Sequence, residues 1–180
     1  MIHPRRRARR NPHRRDTVRC RPTPHPEVTG LSVPSGSLRV MTPLTLDSIA
    51  DALREAWAAD TCSPDDVERS PWSRENPAWG HCDITALVVN DLFGGELVCG
   101  EVHLDGEQQG FHWWNRLPSG IDLDLTREQM RLGQVITEVR VVERPRPLPT
   151  FRRDEYLLLR DRLAARLGDL PQPGTGHQSR

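Results

Sequence analysis

Pro77-Ala78-Trp79-Gly80-His81-Cys82-Asp83-Ile84-Thr85-Ala86-Leu87 passes from a Pro/Gly-punctuated loop into an apolar run. Ile84, Ala86, Leu87, Val88 and Val89 make residues 82–91 apolar almost all round, which predicts a central buried helix. Gly94-Gly95 supply its left-handed stop. Cys82 heads that helix, where unpaired backbone N–H groups and the positive end of the macrodipole favour thiolate over thiol. The spacing therefore predicts a nucleophilic cysteine with an apparent pKa well under the ordinary value of about 8.5. The competing reading is a small buried hydrophobe.

Downstream of the helix, runs bounded by Gly, Pro or Asp predict strands over 96–102, 110–117, 121–125 and 134–142. Pro145, Pro147 and Pro149 end that pattern. Tyr156, Leu159, Leu163 and Leu167 share one face of a last helix over 152–167, and Gly168 onward reads as a frayed polar tail. Upstream, Ile49, Leu53, Ala56 and Trp57 fall on one face of a helix over 46–60, capped by Asp47 or Ser48. Residues 61–80 read as a long loop that delivers Trp72 and Trp79 towards Cys82. The order helix, helix, strands, helix is α+β: a central buried helix packed on an antiparallel sheet.

A base and an orienter lie on the predicted strands. His112 stands in Phe111-His112-Trp113-Trp114-Asn115 and Asp124 in Asp122-Leu123-Asp124-Leu125-Thr126. A three-residue loop at Pro118-Ser119-Gly120 pairs Leu117 with Ile121, Arg116 with Asp122, and Trp114 with Asp124. His112 and Asp124 are then diagonal neighbours on one face, about 7 Å apart at Cβ. Phe111, Trp113, Leu117, Ile121, Leu123 and Leu125 form the opposite, core-like face. A two-residue turn would slip the register and separate the pair. Cys82, His112 and Asp124 are thus available as nucleophile, base and orienter. Thr126-Arg127-Glu128-Gln129 reads as a capping box opening a short helix.

Charge divides the chain. It holds 25 basic and 25 acidic residues, every base an arginine. Residues 1–40 carry ten arginines against Asp16 and Glu27, an excess of eight positive charges that the rest of the chain cancels. Poor in large apolar residues, 1–40 reads as a disordered basic arm, and Met41 as a candidate true start. No aromatic is interleaved with the arginines, so a nucleic-acid role is disfavoured. Residues 41–169 read as one α+β domain and 170–180 as a disordered tail. The cysteines at 20, 62, 82 and 99 form no CxxC pair, which argues against a zinc ribbon or regular disulfide framework. No stretch reaches the roughly 18 apolar residues of a membrane span. A free reactive thiol suits a reducing cytoplasm.

Residues 49–167 resemble the YunG family of bacterial proteins. That family's pattern is a Trp-containing helix, Asn-Pro-x-x-Gly-Gln-Cys-x-x-Thr-Ala, Gly-Gly, His-x-x-Asn and Asp-Leu-Thr-x-x-Gln. Here they read Ala56-Trp57, Asn76-Pro77-Ala78-Trp79-Gly80-His81-Cys82-Asp83-Ile84-Thr85-Ala86, Gly94-Gly95, His112-Trp113-Trp114-Asn115 and Asp124-Leu125-Thr126-Arg127-Glu128-Gln129. One departure is His81, where the pattern has Gln. The landmarks also resemble transglutaminase-type and papain-like sites, with aromatic-Gly-Gln-Cys at a helix start, His-x-Trp on a strand and Asp-x-Thr on the next. That resemblance implies a papain-like or transglutaminase-like fold and acyl transfer at an amide or ester. Cys82, His112 and Asp124 are then the catalytic set. Trp79, His81, Trp114 and Asn115 are the candidates for substrate binding and the oxyanion, with Trp72, Trp79 and Trp114 walling the cleft. No metal or cofactor is implied, and the partner is a small-molecule or peptide substrate of unnamed class.

Two rivals use the same residues. One is a ligand- or protein-binding module of the family without turnover, its acids Asp83, Asp122 and Asp124 set near His112. The other is a zinc site from His81, Cys82, His103 and His112, whose ligand types suit zinc but whose spacing matches no knuckle.

Overall fold

The computed structural model describes residues 44–148 and 150–173. The expected arm over 1–40 and the end of the expected tail lie outside them. Helix α1 spans Leu46–Ala56, α2 Pro64–Arg69, α3 Cys82–Phe93 and α4 Arg153–Leu167. Strands are β1 Glu96–Leu104, β2 Glu107–Arg116, β3 Asp122–Leu123 and β4 Val135–Val142, with a 3-10 turn at Arg127–Gln129. The strands form one antiparallel sheet in the order β3-β2-β1-β4. The fold is mixed α and β, as the element order implies.

The helix faces read from periodicity make the core. Ile49 and Leu53 from α1 and Trp57 at its C-cap, Ile84 and Val88 from α3, and Tyr156, Leu159 and Leu163 from α4 are buried in one cluster. Burying each large side chain contributes about 1.5–3 kcal/mol. Helix α3 packs on β1 and β2 as well as on α4, so it is the element shared by the core and the sheet.

Several local expectations are corrected. The cap of α1 is Thr45, not Asp47 or Ser48. The Thr45 side chain accepts from the Ser48 backbone N–H, and the Ser48 side chain accepts from that of Thr45. The 61–80 segment contains α2, whose first residue is Pro64. Proline punctuates a loop and also starts a helix, because its missing N–H is unneeded at the first position. Just beyond α4, Leu170 packs against the core and the Pro171 carbonyl accepts from Arg160.

The β2–β3 register is the expected one. Arg116 faces Asp122, Asn115 faces Leu123, and the Leu117 N–H donates to the Ile121 carbonyl at 2.8 Å. The face assignment holds at Leu125, which packs against the core, and fails at four positions. Phe111 and Ile121 are exposed, whereas His112 and Trp114 are buried. His112 is covered by Asp124 and Gln129, from a segment that strand periodicity does not encode, while Asn115 on the other face bonds to α3.

A buried ionic cluster ties α3 to the last helix. Asp91 accepts from the Tyr156 hydroxyl and from Arg160, both at 2.5 Å, and pairs with Arg144 at 2.7 Å.

Candidate active site

Cys82, the first residue of α3, lies against the edge of β2. Strand β3 ends at Leu123, which leaves Phe111 and Trp113 without a strand neighbour on that side among the described residues. The thiol fills the gap, 4.0 Å from the Phe111 carbonyl and beside the Trp113 backbone N–H.

The thiol does not have the depressed pKa expected of a helix start. Burial, reinforced by the Asp83 carboxylate, pushes it up to about 12, against smaller opposing pulls from the Trp113 N–H and the Gln129 side chain. Desolvation disfavours the charged form more than the helix terminus favours it. Cys82 is therefore a protonated thiol at neutral pH.

His112 and Asp124 meet as the hairpin register requires. Nε2 of His112 donates to Oδ2 of Asp124 at 2.7 Å. Oδ1 of Asp124 accepts from the Thr126 backbone N–H at 3.1 Å and from its hydroxyl at 3.3 Å. Thr126 thus orients the carboxylate and does not cap a helix, which corrects the expected capping box; the turn after it is 3-10 with no side-chain cap. The His112 ring, almost fully buried, stacks on Trp114 with centroids 5.9 Å apart.

Gln129 joins the two halves. Its Nε2 lies 2.8 Å from Nδ1 of His112, and its side chain also reaches the thiol. Among the described residues no hydrogen bond links the thiol directly to the imidazole. Asp-Leu-Thr-x-x-Gln was the signal for this residue: Asp124 and Gln129 of that motif contact His112, and Thr126 contacts Asp124.

These groups open onto a cleft of about 400 Å³ that Cys82, His112 and Gln129 line together with Trp79, Trp113 and Phe151. Trp79 presents its ring, under the Arg131 guanidinium at 5.0 Å. Its indole N–H is spent on the carbonyls of Asp66 and Ser70, so it is a wall and not an oxyanion donor.

The other expected binding residues lie elsewhere. His81 is fully buried in the core, its Nε2 3.0 Å from the Thr61 hydroxyl and its ring 5.8 Å from that of Trp57. Burial lowers its pKa to about 4, so it is neutral, and its Nδ1 has no partner. Asn115 is buried and donates to the Ala86 carbonyl of α3. Trp114 lies on the far side of His112 and donates to Asp122 at 3.3 Å. Trp72 donates to the Pro77 carbonyl. His81, Trp114 and Asn115 therefore build the support, and the cleft walls fall to Trp79, Trp113 and Phe151.

The approach to Cys82 is held by one guanidinium. Arg152, buried at the start of α4, donates to the carbonyls of Thr61, Cys62 and Gly80 and to both oxygens of Asp83. Gly80 has φ of +70°, and a Cβ there would lie 2.5 Å from the Cys62 sulfur. The turn before Cys82 thus needs glycine both for conformation and for space.

The zinc alternative loses its geometry. His81 engages Thr61, His103 engages Glu101, and His112 engages Asp124 and Gln129. Among the described residues no three His, Cys, Asp or Glu side chains are grouped to hold a metal, and no helix there is long and apolar enough to cross a membrane.

The family model described as YunG protein matches residues 45–168. The chain is 28% identical over 86 residues to "Uncharacterized protein YunG" of Bacillus subtilis (strain 168), a match covering 48% of this chain and 64% of that protein. The match thus spans less than two thirds of the relative's length. No solved structure matches. The family match takes in α1 through α4, the Cys82 turn and the His112–Asp124–Gln129 segment, and the chain belongs to the YunG family.

Proposed function

We propose that the protein is a cysteine-dependent hydrolase or acyltransferase acting on an amide or ester through Cys82, His112 and Asp124. One observation carries the reading: an imidazole fixed at 2.7 Å by a carboxylate shares a cleft with a thiol that heads a buried helix. The arrangement resembles papain-like and transglutaminase-like sites in its order and roles.

The Asp124 carboxylate accepts only, so the neutral imidazole carries its proton on Nε2 and keeps a lone pair on Nδ1. Because the resting thiol is protonated, its proton leaves for Nδ1 as sulfur attacks the carbonyl carbon, not beforehand. Asp124 stabilises the imidazolium so formed. The tetrahedral intermediate then collapses: the bond to the leaving nitrogen or oxygen breaks, and the imidazolium returns the proton to that atom. Water or an amine takes the acyl group from sulfur. Backbone N–H groups of Cys82 and Trp113 are the candidate oxyanion donors, and losing one such donor typically costs about 3–4 kcal/mol. No metal or cofactor takes part, and the unpaired thiol suits a reducing compartment such as the cytoplasm.

The binding-module reading is favoured by a separate observation, the burial that keeps the thiol protonated. Mixing the full chain with p-nitrophenyl acetate separates the two. The hydrolase reading requires a nitrophenolate burst of one per protein that Cys82→Ala and His112→Ala both abolish. A burst absent from the wild type, or unchanged in Cys82→Ala, leaves the binding module.

A further inference from the structure

We propose that Gln129 is a positioning residue that fixes the tautomer of His112 and holds thiol and imidazole apart until a substrate displaces its carboxamide. The inference rests on the catalytic reading above and adds a closed resting state to it.

Gln129 is buried and lines the cleft together with Cys82 and His112. With Nε2–H of His112 given to Asp124, Nδ1 holds a lone pair, and the group that satisfies it at 2.8 Å is the Gln129 amide. The same carboxamide lines the cleft beside the thiol. An amide nitrogen has two protons, enough to face both neighbours at once. While it does so, the only lone pair able to take the thiol proton is occupied. His81 stands where the family pattern has the glutamine before the nucleophile, and its side chain is committed to Thr61 in the core. The carboxamide that faces His112 is that of Gln129.

The backbone beneath it is fixed. The Gln129 N–H donates to the Thr126 carbonyl at 3.0 Å, and the next-door Glu128 is tied to Arg54 of α1 at 2.7 Å. Opening therefore needs only a side-chain rotation, a fast motion. A substrate entering the cleft displaces the carboxamide, and the thiol S–H then becomes the donor to the freed Nδ1 lone pair.

The test is the pH profile of Cys82 alkylation by iodoacetamide, mapped by mass in the full chain. Gln129→Met keeps the bulk and removes the donor; Gln129→Ala also opens space. Both are expected to raise the rate near neutral pH about tenfold or more, with a new inflection in the ordinary histidine range near pH ~6.5. An unchanged Gln129→Met profile would overturn the proposal even if Gln129→Ala reacts faster, since uncovering the thiol explains the latter. Thermal unfolding of Gln129→Met checks that the profile reports a folded protein. An activated thiol in Gln129→Met without any acyl turnover would remove the catalytic reading and leave this positioning role. Acyl turnover in the wild type with an unchanged Gln129→Met profile would do the reverse.

Discussion

Nε2 of His112 donates to Oδ2 of Asp124 across 2.7 Å, and it does so because the Pro118-Ser119-Gly120 loop sets Arg116 opposite Asp122. A one-residue slip would put the carboxylate on the other face of the strand. The bond makes a direct prediction. Asn in place of Asp124 can offer N–H to Nε2, which moves the ring proton to Nδ1 and removes the base. Asp124→Asn should lower kcat for ester cleavage by about 10³–10⁴-fold, the scale of amidating the acid of such a triad. Its unfolding temperature should stay within a few degrees of the wild type, because the residue keeps its shape. Equal activity in this variant would show that the bond is structural only.

His81 supplies a pH prediction. Its folded pKa is depressed from 6.5 to about 4 by burial. An unfolded chain binds a proton between those values that the native state refuses, so the stability present above pH 6.5 is lost as pH falls towards 4. The full effect is roughly 3 kcal/mol. His81→Gln should flatten that part of the stability curve, read from urea midpoints between pH 7 and 4. A curve that keeps its acid slope would show that His81 is already accessible to protons.

The buried thiols act at the other end. Cys62 and Cys82 are raised from 9.0 to about 11 and about 12 by burial. Above pH 9 the unfolded chain releases protons that the native thiols keep, so stability declines as pH rises through the folded values. Cys82→Ala is expected to reduce that alkaline decline, and denaturant midpoints from pH 8 to 10.5 measure it. An identical slope in the variant would argue that the thiol is exposed.

Arg152 tests what holds the approach to the site. Removing its guanidinium takes the side-chain donor from the Thr61 and Cys62 carbonyls and leaves Asp83 and Gly80 only the backbone N–H groups of Ile84 and Ser63. Arg152→Met should cost about 3–5 kcal/mol, as expected for one partner of a buried pair. Arg162→Met, which breaks a more exposed pair with Asp60, should cost no more than about 1 kcal/mol. Chemical denaturation of both variants gives the comparison. Similar losses would mean that Arg152 is not the organising contact.

Much of this architecture is legible in residue order. Period 3.6 reveals the buried faces of α1 and α4, and continuous apolarity reveals α3 as central. The hairpin register follows from its turn. What sequence cannot express is competition among partners. Cys82 at a helix start predicts a thiolate, yet the depth of burial decides otherwise, and depth depends on β2 and Gln129, far along the chain. Asn115 and His81 read as site residues because of their neighbours, and their side chains turn to Ala86 and Thr61 instead. Arg152 is one of 25 arginines, and nothing in its local sequence distinguishes the one that binds Asp83 and three carbonyls. Pro64 and Asp105-Gly106 are short-range signals with two meanings. The first starts α2 rather than a loop, and the second closes a tight β1–β2 hairpin that lengthens both strands.

The most direct test of the acyl-transfer account is to quench the wild-type protein in acid during ester cleavage and map the acyl group by peptide mass. The account predicts an acyl group on Cys82 alone, formed at a rate that His112→Ala and Asp124→Asn both depress. Ester cleavage with no acyl group on Cys82, or acylation of Cys82 at the same rate without His112, would contradict it.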